Sequence, residues 1–348
     1  MATLPPATGP VAPPTPSPTA ANNAGRSLGL GLGLRTAARR GVVAGVKLAE
    51  LLPGDVLNDA DQQYAVSFGK IVSSYNGPII RGRRLSDNSE QDFNAIRRYG
   101  RFMFVDPDEI VDFGQGGGVR IVQQYNQASG RPHNWNAENA SLQPEIVRTD
   151  GTPVLTTSGR PAMTSLDVAG YLGVPNVSDA VARVGHMAYC AVWQGDPNGQ
   201  ALPFDGEHRV LGCRESQQLP GLFYDADDGG RLGWKSSFQA ELKLSDYPRL
   251  QSDFYKPNRA LMCTNAPGSD GILLEWNGPS TRATGPVASE WIRTGKRPAW
   301  LSIESFYAPK SFDGIQCEAI FILDADTKSL NDLRLISAIQ GMMWGTPS

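Results

Sequence analysis

From about residue 60 to its end, the chain alternates short apolar runs with turn sequences such as Asp150-Gly151 and Asp313-Gly314. Many short strands separated by regular turn signals are typical of a β-sandwich or barrel. We therefore predict an all-β fold. The predicted strands include Val119–Val122, Met187–Trp193, Gly271–Trp276, Trp300–Phe306 and Ile315–Leu323.

Two segments have the spacing of apolar residues that indicates a helix. The first is Asp61–Ser73, with Tyr64, Phe68 and Ile71 on one face. The second is Asn331–Met343, with its start marked by Ser329 or Asn331 as a cap. Its apolar residues are Leu333, Leu335, Ile336, Ile339, Met342 and Met343.

The first 58 residues differ in composition from the rest. Residues 1–25 are rich in Pro, Ala and Thr and predict a flexible leader that buries no core. Residues 26–58 combine a Gly-Leu alternation with a basic cluster, and we interpret them as an anchoring segment. The alternative is an ordinary N-terminal strand of the main domain, which we predict to span 59–348. The anchoring residues would be Leu30, Leu32, Leu34, Arg35, Arg39 and Arg40.

Charge and composition argue against several classes of function. The formal net charge of −3 and the lack of a basic stripe past residue 50 argue against nucleic-acid binding. No stretch approaches 18 apolar residues and no signal peptide is recognisable, so we expect no membrane insertion. The four cysteines show no C-x-x-C spacing, and we expect buried free thiols.

Two groups of motifs bracket the predicted sandwich. The opening group is Tyr75–Asp92 (YNGPIIRGRRLSDNSEQD), Gln124–Gly130 (QYNQASG) and Gln143–Val147 (QPEIV). The closing group is Phe312–Leu323, Ser329–Leu333 and Gly341–Gly345.

This arrangement resembles concanavalin A-like lectin/LamG-type modules of phage virion and bacterial surface proteins. The same opening occurs in the catalytic domain of arabinofuranosidase B. The resemblance implies a jelly-roll β-sandwich with a flexible N-terminal arm and one or two short helices. Asn126 stands where the family has Asp, which weakens any calcium-dependent role of that position because the charge is lost.

The motifs do not include the catalytic residues that a glycosidase requires. A retaining glycosidase needs two carboxylates about 5 Å apart. The sequence pairs no two of its candidates, and the adjacent cysteines and glutamate motif expected of the arabinofuranosidase are not found. We therefore predict that the chain is not an enzyme. The candidate carboxylates are Glu207, Glu215, Asp225, Asp227, Asp228, Glu241, Glu275 and Glu290.

Sugar binding needs an aromatic face and nearby amides or carboxylates. Trp135 between Asn134 and Asn136 is the best local match, and Trp193 and Trp276 are two others. Each tryptophan has an alternative interpretation as a plug at the sandwich edge. We expect no cofactor. Calcium is the metal left open, because Asp225–Gly230 looks like a calcium loop although EF-hand spacing is absent.

The organisation of leader, anchor and lectin-like domain suggests a non-enzymatic phage virion protein, such as a head fibre, decoration or tail component. The expected location is the virion, assembled in the host cytoplasm. Expected partners are capsid or tail proteins, host surface polysaccharide and further copies of the chain. The alternatives are an arabinofuranosidase-like glycoside hydrolase and a bacterial carbohydrate-binding adhesion module. The hypothesis rests on analogy of organisation.

Overall fold

The structure, a computed structural model, describes residues 50–57, 63–128, 133–137, 139–165, 172–173, 187–195, 207–213, 221–225, 231–237, 240–243, 255–264, 271–279, 282–285, 298–300, 314–322 and 328–347. The strands are β1 Gln63–Ser67, β2 Ile80–Arg84, β3 Glu90–Phe93, β4 Ala95–Tyr99, β5 Phe102–Val105, β6 Val119–Gln124, β7 Trp135–Asn136, β8 Glu145–Val147, β9 Met163–Thr164, β10 Leu172–Gly173, β11 Ala188–Gly195, β12 Glu207–Cys213, β13 Gly221–Asp225, β14 Arg231–Ser237, β15 Ala240–Lys243, β16 Asn258–Thr264, β17 Ile272–Trp276, β18 Arg282–Gly285, β19 Pro298–Trp300 and β20 Gly314–Ile322. The α-helices are α1 Pro107–Gly114 and α2 Leu330–Trp344, and short 3₁₀ helices span Pro53–Val56 and Ala140–Leu142.

Antiparallel pairing joins the strands into two long runs. One run is β1-β20-β11-β16-β17-β18. The other is β3-β2-β6-β7-β10-β19-β12-β13-β14-β15. Strands β8 and β9 link β6 to β20. The predicted all-β sandwich is confirmed.

Strand β20 is the second strand of the first run and lies between β1 and β11. Phe321 pairs in register with Tyr64 on one side and Tyr189 on the other, and its ring meets that of Tyr189 edge-on with centroids 4.1 Å apart. Every residue of β20 is buried, including those at the polar positions of its alternating pattern. Helix α2, which contacts the neighbouring strands β11 and β16, places apolar residues over this part of the sheet.

Helix α2 confirms the second helix prediction. Ser329 caps it, because the Ser329 hydroxyl accepts from the Asp332 amide at 3.3 Å and the Asp332 carboxylate accepts from the Ser329 amide at 3.0 Å. This reciprocal capping box satisfies two backbone donors at the helix start. Gly345 ends the helix in the left-handed region (φ 72°), which glycine adopts without strain. In the described part of the chain, neither helix is long and apolar enough to cross a membrane.

The first helix prediction is wrong. Strand β1 occupies the middle of Asp61–Ser73, and Tyr64, Ala65 and Val66 are all buried. The segment pairs with β20 and both faces of β1 are buried, so apolar residues occupy consecutive positions. Their three-and-four spacing therefore does not reflect a helix. A different helix, α1, was missed. Its cap is Asp106, whose side chain accepts from the Asp108 amide at 3.1 Å, and Pro107 occupies its first position.

Residues 50–57 pack into the domain although they belong to the predicted anchoring segment. Leu51 and Val56 are buried in the core, and the Lys328 ammonium donates to the Val56 carbonyl at 3.0 Å. These residues contact α2 through the first 3₁₀ helix. The leader 1–25 and the anchoring residues Leu30, Leu32, Leu34, Arg35, Arg39 and Arg40 lie outside the described residues. Their roles stay predictions.

Candidate functional site

The opening motif forms a polar cluster on the surface of β2 and β3. Arg81 makes a two-pronged ion pair with Asp92, with its Nε at 2.8 Å and its Nη2 at 3.0 Å from the carboxylate. The Tyr125 hydroxyl donates to the same carboxylate at 2.7 Å. The Tyr75 hydroxyl donates to the Pro78 carbonyl at 2.6 Å. The motif residues thus tie the loop before β2 and the end of β6 to one sheet edge.

The charges in this cluster perturb its ionisable groups. The Arg81 guanidinium holds the pKa of the Asp92 carboxyl below its usual value. Burial, followed by the hydrogen bond to Asp92, raises the pKa of Tyr125 to about 12. Burial also raises the pKa of Tyr75 to about 12. Asp92 is therefore ionised, and its oxygens are already bound by Arg81 and Tyr125. A glycosidase needs two carboxyl groups, and this cluster has Asp92 alone.

The second part of the opening motif is structural. The Asn126 side-chain oxygen accepts from the Ala65 amide at 2.8 Å and from the Ala128 amide at 3.2 Å. The Gln127 side chain accepts from the Ile71 amide at 2.9 Å and donates to the Gly69 carbonyl at 2.8 Å. Both side chains form hydrogen bonds with backbone amides and carbonyls in and beside β1 that lack a backbone partner. This part of the motif therefore stabilises the fold and does not form a binding surface.

The predicted sugar-binding tryptophans are buried. Trp135, Trp193 and Trp276 belong to the core, and the rings of Trp193 and Trp276 contact each other with centroids 5.2 Å apart. Asn134 uses its side-chain oxygen to accept from the Asn126 amide at 3.0 Å, and Asn136 is half-buried in β7. None of the three tryptophans presents an exposed ring face. This corrects the expectation that their rings are available to stack on a sugar. A sugar contact by these residues stays an untested prediction.

Three buried glutamates of the described residues have defined partners. Glu275 accepts from the Nε of Arg334 at 2.9 and 3.2 Å, and the Nη2 of the same guanidinium completes the ion pair. Glu145 lies 3.5 Å from Arg120. Glu318 accepts hydrogen bonds from Ser67, Gln340 and Trp344. Since Glu275 is paired and buried, we remove it from the candidate catalytic residues.

Two of the candidate residues are backbone pairing partners on neighbouring strands. Glu207 at the start of β12 lies directly opposite Asp225 at the end of β13, and Asp225 lies opposite Arg231 on β14. Residues directly opposite on antiparallel strands have their Cβ atoms about 4.5–5.5 Å apart. The sequence showed no link between Glu207 and Asp225 because 17 residues separate them and the turn between the strands has no standard hairpin signature.

The remaining candidates do not form such a pair. Glu241 on β15 lies opposite Lys235 on β14. Glu215, Asp227, Asp228 and Glu290 lie outside the described residues, as does most of the suggested calcium loop Asp225–Gly230. Within the part of the chain that the structure describes, no group of three His, Cys, Asp or Glu side chains could hold a metal ion.

Comparison with solved structures finds glycoside hydrolases. A glutamate-to-glutamine mutant of GH54 α-L-arabinofuranosidase soaked with 4-nitrophenyl α-L-arabinofuranoside has a TM-score of 0.52 and 14% identity over 83% of this chain. An arabinofuranosidase complexed with arabinofuranosyl-α-1,2-xylobiose has a TM-score of 0.55 and 16% identity over 83% of this chain. This chain covers 65% of the length of each. No family model matches the sequence, and no curated protein matches it.

These comparisons correct two expectations. The fold resembles that of glycosidases, and this finding overturns the expectation of a phage virion protein. The expectation that the chain is not an enzyme is overturned by the same finding. At 13 to 16% identity the likeness shows a jelly-roll-like β-sandwich and no more.

Proposed function

We propose that this chain is a glycoside hydrolase that acts on α-L-arabinofuranosyl linkages of a polysaccharide. The observation that carries the proposal is the likeness of the fold to arabinofuranosidase structures over 83% of the chain. Retaining glycosidases need two carboxyl groups about 5–5.5 Å apart, and the backbone pairing of Glu207 with Asp225 makes these two residues our candidates for them. The likeness to arabinofuranosidase structures over 83% of the chain supports the choice of sugar.

The two carboxylates differ in their neighbours, which suggests their roles. Arg231 is the backbone pairing partner of Asp225 on β14, and Glu207 is its partner on β12. We assign the nucleophile to Asp225 and the acid to Glu207. An Asp225 oxygen would bond to the anomeric carbon as the glycosidic C–O bond breaks, while Glu207 gives its proton to the leaving oxygen. Water would then attack the glycosyl-enzyme ester as Glu207 takes its proton, with net retention of configuration.

The test uses 4-nitrophenyl α-L-arabinofuranoside and the purified full-length protein. We expect nitrophenol release that Asp225→Asn reduces by at least about a hundredfold, since the nucleophile is lost. Glu207→Gln should keep much of this activity but lose it on arabinofuranosyl-xylobiose, because nitrophenol departs without protonation and a sugar does not. Glu241→Gln is the matched control, and we expect it to be as active as the unmodified protein.

The outcomes separate the activity from the residues. If the unmodified protein releases no nitrophenol and no arabinose from either compound, the hydrolase proposal is wrong. If it is active but Asp225→Asn and Glu207→Gln leave the rates unchanged, the activity stands and the assignment of these two residues fails. Circular dichroism of each variant shows whether a lost rate reflects a lost fold.

A further inference from the structure

A buried carboxyl group joins the C-terminal helix to the centre of the sheet. Glu318 lies in β20 and has no exposed surface. Its Oε2 accepts from the Ser67 hydroxyl at 3.2 Å and from the Trp344 indole Nε1 at 2.7 Å, and its Oε1 accepts from the Gln340 amide at 2.9 Å. Ser67 belongs to β1, whereas Gln340 and Trp344 belong to α2. We call these four residues the Glu318 clasp.

All three donors of the clasp are neutral. Among the described residues no cationic side chain contacts the Glu318 carboxyl, and burial raises the pKa of Glu318 from 4.5 to about 7 despite the three hydrogen bonds. The Arg160 guanidinium donates to the backbone carbonyl of Trp344 at 3.0 Å. The other ionisable groups of the packed elements are Tyr64, Tyr189, Arg259, Asp332, the buried thiols Cys190, Cys263 and Cys317, and the ion pair Glu275–Arg334.

The neutral form of Glu318 is also accommodated. The Ser67 oxygen accepts from the Gly69 amide at 3.1 Å and can accept one more hydrogen bond, so a protonated Glu318 can donate to it. The ionised form keeps three donors but has no counter-charge in a site closed to water. Removing a carboxylate from water without a cation is costly, whereas a neutral, hydrogen-bonded carboxyl group is tolerated.

We propose that the Glu318 clasp is a proton-operated device: the neutral carboxyl holds α2 on the sheet, and loss of the proton favours release of the helix. A released helix lets water reach Glu318, and the hydrated carboxylate is then the stable form. The elements that separate are α2 on one side and β1, β11 and β20 on the other. The device depends on the position of Glu318 in the fold and not on the proposed hydrolase activity.

The sign and size of the effect follow from proton linkage. In the docked state the carboxyl titrates at about 7, and in the released state it would titrate at the ordinary 4.5. Between these values the released state binds fewer protons, so the equilibrium constant for release rises about tenfold for each pH unit. Stabilisation of the docked helix is complete below about 4.5, falls as pH rises through about 7, and changes no further above that.

Hydrogen exchange of the full chain, read by mass spectrometry, tests this. After correction for intrinsic exchange rates, the release constant of α2 peptides should rise about tenfold per pH unit from about pH 5 to about pH 7 and then level off. Glu318→Gln should abolish the slope, because Gln keeps an oxygen acceptor and cannot ionise. Glu275→Gln is the matched control: it weakens another tie between α2 and the sheet but should keep the slope.

A second readout uses a thiol beneath the helix. The Cys190 sulfur lies 3.9 Å from the Leu333 carbonyl of α2 and is buried. Alkylation of Cys190 by iodoacetamide should be slower in Glu318→Gln than in the unmodified protein at the same pH near 8. Loss of the Glu318 charge removes one cause of the raised pKa of Cys190 and by itself favours alkylation, so slower alkylation in Glu318→Gln reports the docked helix.

The proposal is overturned if the unmodified protein shows no slope, or if Glu318→Gln keeps it. If Glu318→Gln does not fold, the variant Trp344→Phe tests the proposal instead. This change removes one donor to the carboxylate, so the slope should extend to higher pH than in the unmodified protein. An unchanged upper limit would contradict the role of the clasp.

Discussion

Gly341 of α2 makes room for the side chain of Arg259 on β16. A Cβ atom at position 341 would overlap the Arg259 Nη1 and lie 2.8 Å from its Cζ. Arg259 is 8% exposed, and it donates to the Thr346 hydroxyl at 2.7 Å and to the Asn277 carbonyl at 2.8 Å. The helix, the sheet and the residues after the helix therefore meet at this contact.

We predict that Gly341→Ala destabilises the protein by roughly 1–3 kcal/mol, although alanine favours helices. The guanidinium must move and lose its two hydrogen bonds. Urea unfolding measures the loss. The double variant with Arg259→Ala should be less destabilised than the sum of the two single changes, because the overlap is then absent. Additive losses would contradict the contact.

The Glu275–Arg334 ion pair should respond unequally to loss of either partner. The Glu275 side chain is 3% exposed and the Arg334 side chain 29%. Arg334→Met leaves a buried carboxylate without its paired cation, and we expect a loss of about 3 kcal/mol in the free energy of unfolding. Glu275→Gln leaves a guanidinium that water reaches, and we expect about 1 kcal/mol. Equal losses in urea unfolding would contradict the argument that the buried partner is the costlier one to leave unpaired.

Tyr125 should titrate closer to its ordinary value when Asp92 is changed to Asn. The variant removes the hydrogen bond and the negative charge that raise its pKa, but burial is the larger cause, so the value should stay above 10. Since the folded pKa is raised to about 12, the stability from Tyr125 is complete below 10 and is lost as pH rises through about 12. Ultraviolet difference titration measures this, with Tyr125→Phe and Tyr75→Phe to assign the signals.

Asn126 should tolerate Asp but not Ala. Its side-chain oxygen accepts from two backbone amides in the domain interior, and Asp keeps that acceptor. We expect Asn126→Ala to lose about 2 kcal/mol, because buried donors without partners are costly, and Asn126→Asp to lose less than about 1 kcal/mol at neutral pH. Asn139, which accepts from the Ser141 amide at 3.1 Å on the surface, is the control. Asn139→Ala should cost under about 1 kcal/mol, since water replaces the bond. Comparable losses for both alanine variants would contradict the burial argument.

The sequence was sufficient to predict the class of fold and several strands. Alternation in Ile315–Leu323 and the apolar run Met187–Trp193 correspond to β20 and β11, and the Ser329 cap marks the start of α2. These features depend on neighbours within a few residues, which a linear pattern records. The apparent helix at Asp61–Ser73 failed because pairing with a strand some 250 residues away overrides local spacing.

The functional residues depended on long-range contacts. Motif resemblance located Arg81, Asp92 and Tyr125 but could not show that they hold the fold together. The burial of Trp135 and the clasp around Glu318 both arise between segments distant in sequence. Sequence alone determined which residues favour strands, turns and caps, because those preferences are local. The tertiary structure decided which carboxyl groups meet a cation or a neutral donor, because that depends on which strands and helices pack together.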